Sequence, residues 1–179
     1  ATGARPLVPP IPGLDQINYL TSDNVWEIRR LPKRLLILGG GPIGCELAQA
    51  FSRFGSQVSM VVRGPRILTR EDDDVSDFIT EKFRQEGIQL LTSHKAKSFG
   101  TDGQAKWLIC EFSGTESGQD GRLTSAGEVR IEFDEVLLAF GKKANVKGFG
   151  LEELGIEISP GGTIAADEFL RTNYPNIYV

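Results

Sequence analysis

The chain has 179 residues, the size of one domain, and carries 20 Lys and Arg against 24 Asp and Glu for a net charge of −4. That mildly acidic balance argues against a nucleic-acid or anionic-membrane partner, which asks for a clustered cationic surface. With 40% apolar and 25% charged residues, the composition is that of an ordinary globular protein able to bury roughly 70% of its unfolded surface without a metal or disulfide.

The two cysteines, Cys45 and Cys110, form neither a disulfide framework nor a metal site and point to a reducing, cytoplasmic compartment. The longest apolar run, 136–140, is far short of the ~18 residues of a membrane span. The start, Ala1-Thr2-Gly3-Ala4-Arg5-Pro6, lacks both an initiating Met and the pattern of a signal peptide, so the chain reads as a piece of a longer protein.

Residues 1–14, rich in Pro and Gly, read as an extended lead-in. Residues 22–31 read as a short helix with Ser22 as N-cap, Val25, Trp26 and Ile28 as its apolar face, and Pro32 as its stop. A short buried strand, 35–38, runs into Gly39-Gly40-Gly41. Helix 42–54 follows, with Ile43, Leu47, Phe51 and Phe54 on one face and Gly55 as its stop. Residues 58–62 form the second strand. Val75, Phe78, Ile79 and Phe83 mark a second amphipathic helix behind Asp72, Asp73 and Asp74, closed by Gly87, and 88–91 form the third strand.

This β-α-β-α-β order predicts a parallel sheet with right-handed crossovers. Residues 95–133 lose the helical period and alternate over 107–112 and 129–133, the signature of an antiparallel meander. Between them, 113–127 hold four glycines and three serines and read as a flexible loop. Residues 136–140 return as another buried strand.

Gly39-Gly40-Gly41-Pro42-Ile43-Gly44 spells G-x-G-x-x-G, and it stands between an apolar strand and an amphipathic helix, the context in which that pattern binds a dinucleotide. Gly39 makes the tight turn, Gly41 admits a pyrophosphate to the backbone, and Gly44 lets helix and strand pack closely. The helix N-terminus offers free N–H groups and partial positive charge to the anion.

An acid that accepts hydrogen bonds from the adenosine ribose is expected ~20 residues further on. At that place stand Val62, 18 residues past the last glycine, and Arg63, with Arg66 and Arg70 beyond. The missing acid and the arginines favour NADPH over NADH, because a guanidinium pairs with a 2′-phosphate. The missing acid also weighs against FAD in this turn.

The run LLILGGGPIGCELAQAFSRF over 35–54 resembles the nicotinamide-nucleotide domain of the flavoprotein pyridine nucleotide–disulfide oxidoreductases, the family of dihydrolipoamide dehydrogenase, glutathione reductase and mercuric reductase. Residues 1–6 (ATGARP), 139–145 (AFGKKAN) and 172–179 (TNYPNIYV) are similar to further family segments, in the same order. The resemblance implies a Rossmann-like, three-layer α/β domain in which the meander replaces a helical crossover. It also implies one NAD(P)-binding domain over 1–179, with 1–6 and 163–179 as junctions to an FAD domain.

Carried over by residue, it implies that Gly39, Gly40, Gly41, Pro42 and Gly44 form the pyrophosphate turn and that Ile43 and Glu46 sit beside the nicotinamide. Glu46 is then the candidate for a role at the reacting end. Ala96 lines the adenine side, Gly141 approaches the cofactor after the meander, and Arg63, with Arg66 near it, takes the 2′-phosphate in place of an acid at Val62. Thr69 stands where glutathione reductases place a second phosphate-binding arginine, and Ala144 where the family has Pro.

The implied activity is hydride transfer from NAD(P)H to FAD in a flavin-dependent disulfide oxidoreductase, homodimeric when intact, with this chain inactive alone because it holds no electron acceptor. The alternative is the dinucleotide-binding domain of a flavoprotein oxidase or redox sensor without an active disulfide. Cys45, near a helix N-terminus where a thiol pKa can fall, is read as filler, as is Cys110. His94, the only histidine, reads as a surface residue.

Overall fold

A computed structural model describes residues 2–113 and 127–179. In chain order the elements are β1 (Ala4–Pro6), β2 (Arg34–Leu38), α1 (Pro42–Arg53), β3 (Gln57–Val61), α2 (Asp73–Gln85), β4 (Gln89–Leu91), β5 (His94–Thr101), β6 (Lys106–Phe112), β7 (Glu128–Phe133), β8 (Glu135–Leu138) and β9 (Lys142–Ala144). The glycine- and serine-rich stretch read as a flexible loop lies, over 114–126, outside the described residues. The chain gathers into two compact units, one of Val8–Gly141 and one of the N-terminal residues with Lys142–Val179. The fold is mixed α/β.

In the larger unit, β4, β3, β2 and β8 form a parallel sheet in that order, and β5, β6 and β7 an antiparallel one. The parallel strands are mostly apolar because both of their faces are covered. Leu35, Ile37, Val58, Met60 and Leu137 point into one core with Cys45, Ala48 and Phe51 of α1 and Phe83 of α2. Their strand neighbours Leu36, Leu38, Val61, Val136 and Leu138 point into a second core with Phe99, Leu108, Cys110, Ile131 and Phe133 of the meander. The two-residue period of a strand sorts the side chains between the cores.

Strand β8 reaches its place beside β2 from about a hundred residues away in the chain. The backbone N–H and the guanidinium of Arg34 both donate to the Asp134 carboxylate, at 2.8 and 2.9 Å, and the Asp134 N–H donates back to the Arg34 carbonyl. Burial opposes ionisation of Asp134, but these bonds from Arg34 hold its carboxyl below the ordinary carboxylate value.

Several local expectations are corrected. The helix expected over 22–31 is a single 3₁₀ turn, Val25–Glu27, and Ser22 does not cap it. The Asn24 side chain accepts the Thr21 N–H and curls the chain there, Ile28 leaves in extended conformation, and Trp26 stands 71% exposed.

Helix α1 buries Gly44, Cys45 and Ala48 alongside Phe51 of the expected stripe, while Leu47 packs half-buried against the same core and Ile43 is half-buried. Small residues permit closer approach to the sheet, and Phe54 is 69% exposed, edge-on to Phe51. In α2 the buried positions are Ser76 and Phe83, with Ile79 half-buried. Val75 and Phe78 face solvent. The meander has a further strand, β5, that the alternation did not reveal, and β8 ends at Leu138 rather than at residue 140.

The smaller unit pairs β1 with β9 antiparallel, where the lead-in was read as irregular. Thr2 Oγ1 donates to the Asn145 carbonyl and Asn145 Nδ2 to the Thr2 carbonyl, at 2.8 and 3.0 Å. Beyond β9, order comes from single bridges, Ile158 to Ile164 and Arg171 to Tyr178.

Candidate functional site

Because β2, β3 and β8 run parallel with Leu38 level with both Val61 and Leu138, their carboxyl ends finish together. That edge of an open parallel sheet is where ligands bind in α/β folds. Three segments emerge from it: the glycine turn 39–44, residues 62–70, and residues 139–141.

The four glycines of the turn are required for different reasons. Gly39 has φ +116°, and a Cβ there would lie 2.3 Å from the Ala139 carbonyl oxygen at the end of β8. A Cβ on Gly40 would meet both γ-carbons of Val62 at 2.9–3.0 Å, and one on Gly44 the Gly39 carbonyl oxygen at 2.5 Å. These three are fixed by the protein's own atoms. Gly41 is not: nothing lies within 4 Å of where its Cβ would be. It is the N-cap of α1, in extended conformation, and no side chain caps the helix.

Pro42 occupies the first helical position, where its missing N–H costs nothing. The N–H groups of Ile43 and Gly44, in the first turn, have no intrahelical acceptor. An uncapped helix start with open space before it fits a phosphate group.

Around this turn the other expected residues take definite places. Pro42 and Glu46 are exposed and Ile43 is half-buried. Glu46 makes no ion pair among the described residues. Gly141 is exposed, with φ +104° and open space before its Cα, two residues past the Ala139 that Gly39 packs against. Val62 is buried under Gly40, so its side chain belongs to the core and presents nothing to a ribose.

Arg63, the next residue, is exposed and without an ion pair among the described residues. The Arg66 guanidinium is engaged by Asp73 in the first turn of α2. Ala96 lies in β5, half-buried against the meander core. The His94 N–H, two residues earlier, donates to the Val62 carbonyl at 3.0 Å.

His94 is half-buried rather than a free surface residue, with Nδ1 2.6 Å from the Thr92 carbonyl oxygen and its ring edge-on to Phe112. Burial pushes the Cys45 thiol up to about 12, with the Glu46 charge adding to the effect, and burial alone pushes Cys110 to about 11. The helix N-terminus does not activate Cys45. Its Sγ lies 3.6 Å from the Gly40 carbonyl oxygen.

The residues that hold 62–70 against the turn had no motif to announce them. The Leu68 N–H donates to the Gly40 carbonyl at 2.7 Å, the fully buried Ser76 Oγ donates to the Ile67 carbonyl at 2.8 Å, and the Ser93 N–H donates to the Gly64 carbonyl at 2.8 Å. Leu68 adopts φ +51° to do so, a conformation that costs a non-glycine residue about 1–2 kcal/mol. The only available signal was the apolar pair Ile67-Leu68 inside a run of charges.

Two clefts lie away from this edge. One of about 500 Å³ is lined by Tyr19, Asn24, Glu27 and Glu135, and one of about 270 Å³ lies near the amino ends of the strands beside Arg34, Gln57 and Arg130. Neither includes a residue of the turn.

An uncapped glycine turn at the carboxyl edge of a parallel sheet is the kind of site that α/β proteins use for anionic ligands. The family model for pyridine nucleotide-disulphide oxidoreductases matches residues 1–179, and the chain belongs to that family. It is 38% identical over 178 residues to the mercuric reductase of Streptomyces lividans, covering 99% of this chain and 35% of that protein. It is 35% identical over 179 residues to the dihydrolipoyl dehydrogenase of Chlamydia pneumoniae, covering 99% of this chain and 35% of that protein.

Among solved structures it superposes with a TM-score of 0.83 and 28% identity on a Cu(II) complex of a mutant of the HOCl-induced flavoprotein disulfide reductase RclA of Escherichia coli, over 98% of this chain and 36% of that one. The chain thus spans about a third of the length of the relatives it matches. Among the described residues no helix is long and apolar enough to cross a membrane, and no cluster of His, Cys, Asp and Glu could hold a metal ion.

Proposed function

We propose that the chain is one Rossmann-like nucleotide-binding domain over 1–179, its glycine turn in the unit of Val8–Gly141, that takes NADPH in preference to NADH within an FAD-dependent oxidoreductase. On this reading 1–6 and 163–179 are its junctions to the flavin domain. The observation that carries the reading is Gly41, the single glycine of the turn whose lack of a side chain serves no contact inside the protein. The space before it, at an uncapped helix start, has the character of a pyrophosphate cradle.

The nicotinamide, when bound, supplies the hydride that reduces the flavin. The chain's own part is binding and orientation. Gly39, Gly40 and Gly44 let the turn close and Gly41 admits the pyrophosphate, with N–H groups of Ile43 and Gly44 directed to it. Ile43 in the first turn of α1 and Glu46 at the start of the second flank the nicotinamide end, and Gly141 borders the groove from β8. Arg63 pairs with the 2′-phosphate. Family membership supports the pairing of a pyridine nucleotide with a flavin, and the absence of an acid at Val62 supports NADPH.

Isothermal calorimetry of the protein carrying this chain, with NADPH and with NADH, tests the reading. Tighter binding of NADPH is expected. Heat from neither nucleotide would overturn the assignment of the turn, and an NADH preference would overturn the assignment of Arg63.

A further inference from the structure

The segment that carries the arginines is held on either side of Arg66: Gly64 by Ser93, Ile67 by Ser76, and Leu68 by Gly40. The two arginines differ in what surrounds them. Arg63 is exposed and without an ion pair among the described residues, whereas Arg66 Nη1 is paired with Asp73 Oδ1. The Asp73 side chain is itself 79% exposed, so solvent screens its charge away from its direct partner, Arg66.

Resting on the nucleotide reading above, we propose that Asp73 is a specificity-tuning residue that restrains the preference for NADPH by occupying Arg66. A 2′-phosphate is a dianion or nearly so. Placed near this loop it meets one unpaired guanidinium at Arg63 and one guanidinium, at Arg66, whose charge Asp73 already answers. A ribose 2′-hydroxyl carries no charge and is indifferent to the pair. Asp73 thus subtracts from the affinity for the phosphorylated cofactor and leaves the other unchanged. It acts through Arg66 rather than on the ligand directly, and it narrows a discrimination that Arg63 alone establishes.

Asp73 also stands in the first turn of α2, where any carboxylate is stabilised by the helix dipole. Asp74 shares that turn, but its carboxylate accepts the Val75 N–H at 2.9 Å instead of an arginine. Asp74→Asn is therefore the matched control for helix stability.

Dissociation constants for NADPH and NADH are measured on the protein carrying this chain, for wild type, Asp73→Asn, Asp74→Asn, Arg66→Ala and the Arg66→Ala/Asp73→Asn pair, at low and high salt. An exposed ion pair is worth up to about 1 kcal/mol, about a fivefold effect. Asp73→Asn is expected to tighten NADPH about two- to fivefold, to leave NADH unchanged, and to lose this gain at high salt and in the Arg66→Ala background. Asp74→Asn is expected to lower thermal stability without changing the ratio of the two constants.

An equal change for both cofactors in Asp73→Asn, no change at all, a gain that survives Arg66→Ala, or an equal gain in Asp74→Asn would each overturn the role of Asp73 while leaving the nucleotide reading intact. Binding of neither cofactor by wild type would instead overturn the nucleotide reading itself.

Discussion

In the glycine turn, Gly39, Gly40 and Gly44 are each pressed by another part of the same unit, the carbonyl of Ala139, the γ-carbons of Val62, and the carbonyl of Gly39. In the neighbouring segment 62–70, backbone hydrogen bonds fix the path, yet the arginines that matter end in solvent or on another side chain. The first region is specified by steric exclusion, which acts through the backbone and tolerates one residue type. The second is specified by charge, which is long-ranged, screened and open to competition. On the nucleotide reading proposed above, damage to the turn is expected to divide into two kinds, folding and binding, and damage to the arginine segment to change selectivity.

The largest effect that sharpens this contrast is expected at Gly39. A methyl group there meets the Ala139 carbonyl and also forces a side chain into φ +116°, so Gly39→Ala is expected to cost about 4 kcal/mol of stability. Urea unfolding measures it, and a midpoint equal to wild type would erase the distinction between the glycines. Gly41→Val comes next. It is expected to weaken nucleotide binding at least ~100-fold while costing only about 1 kcal/mol of stability, the N-cap preference for Gly over Val, since its side chain enters open space. A loss of stability matching that of Gly39→Ala would mean that Gly41 is structural like its neighbours.

Arg63→Ala follows, with an expected loss of about 1.5–3 kcal/mol for NADPH and little change for NADH. A loss shared by both cofactors would place Arg63 outside the 2′-phosphate contact. Smallest is the effect of the thiol beneath the turn. Because burial raises Cys45 from 9.0 to about 12, the native protein holds it as the neutral thiol. At pH 8 alkylation mapped by mass spectrometry is expected to spare Cys45 until the chain is denatured. The stability linked to it is intact below pH ~9 and falls as the pH rises toward 12. Prompt labelling of native Cys45 would show that the region around the turn opens readily.

The parallel strands, both helices and the glycine turn were legible because each writes its cause locally: apolar runs for two-sided burial, glycines where a Cβ does not fit, and glycine stops. The buried faces of α1 and α2 keep Phe51 and Phe83 of the apolar stripes and leave Phe54, Val75 and Phe78 exposed. The close fit against the sheet also selects Gly44, Cys45, Ala48 and Ser76, whose small size leaves little trace in a hydrophobic period. The 22–31 helix failed on a single side-chain bond from Asn24 to the Thr21 backbone. In the site, the turn was legible and its supports were not. Leu68 to Gly40 and Ser76 to Ile67 join residues whose spacing carries no motif, and the capture of Arg66 by Asp73 depends on how α2 enters.

The bond between Arg34 and Asp134 spans a hundred residues, and it bears on how the protein is made. Strands β2 and β3 with the α1 crossover between them lie close together in the chain and can assemble as soon as they leave the ribosome. Strand β8, the other neighbour of β2, emerges only after the meander. Closing a segment of about 100 residues rather than about 20 costs roughly 1.4 kcal/mol more in chain entropy. In that interval one edge of β2 offers unpaired N–H and C=O groups beside Leu36 and Leu38, a template for pairing with other nascent chains. The arrival of β8 closes that edge of β2.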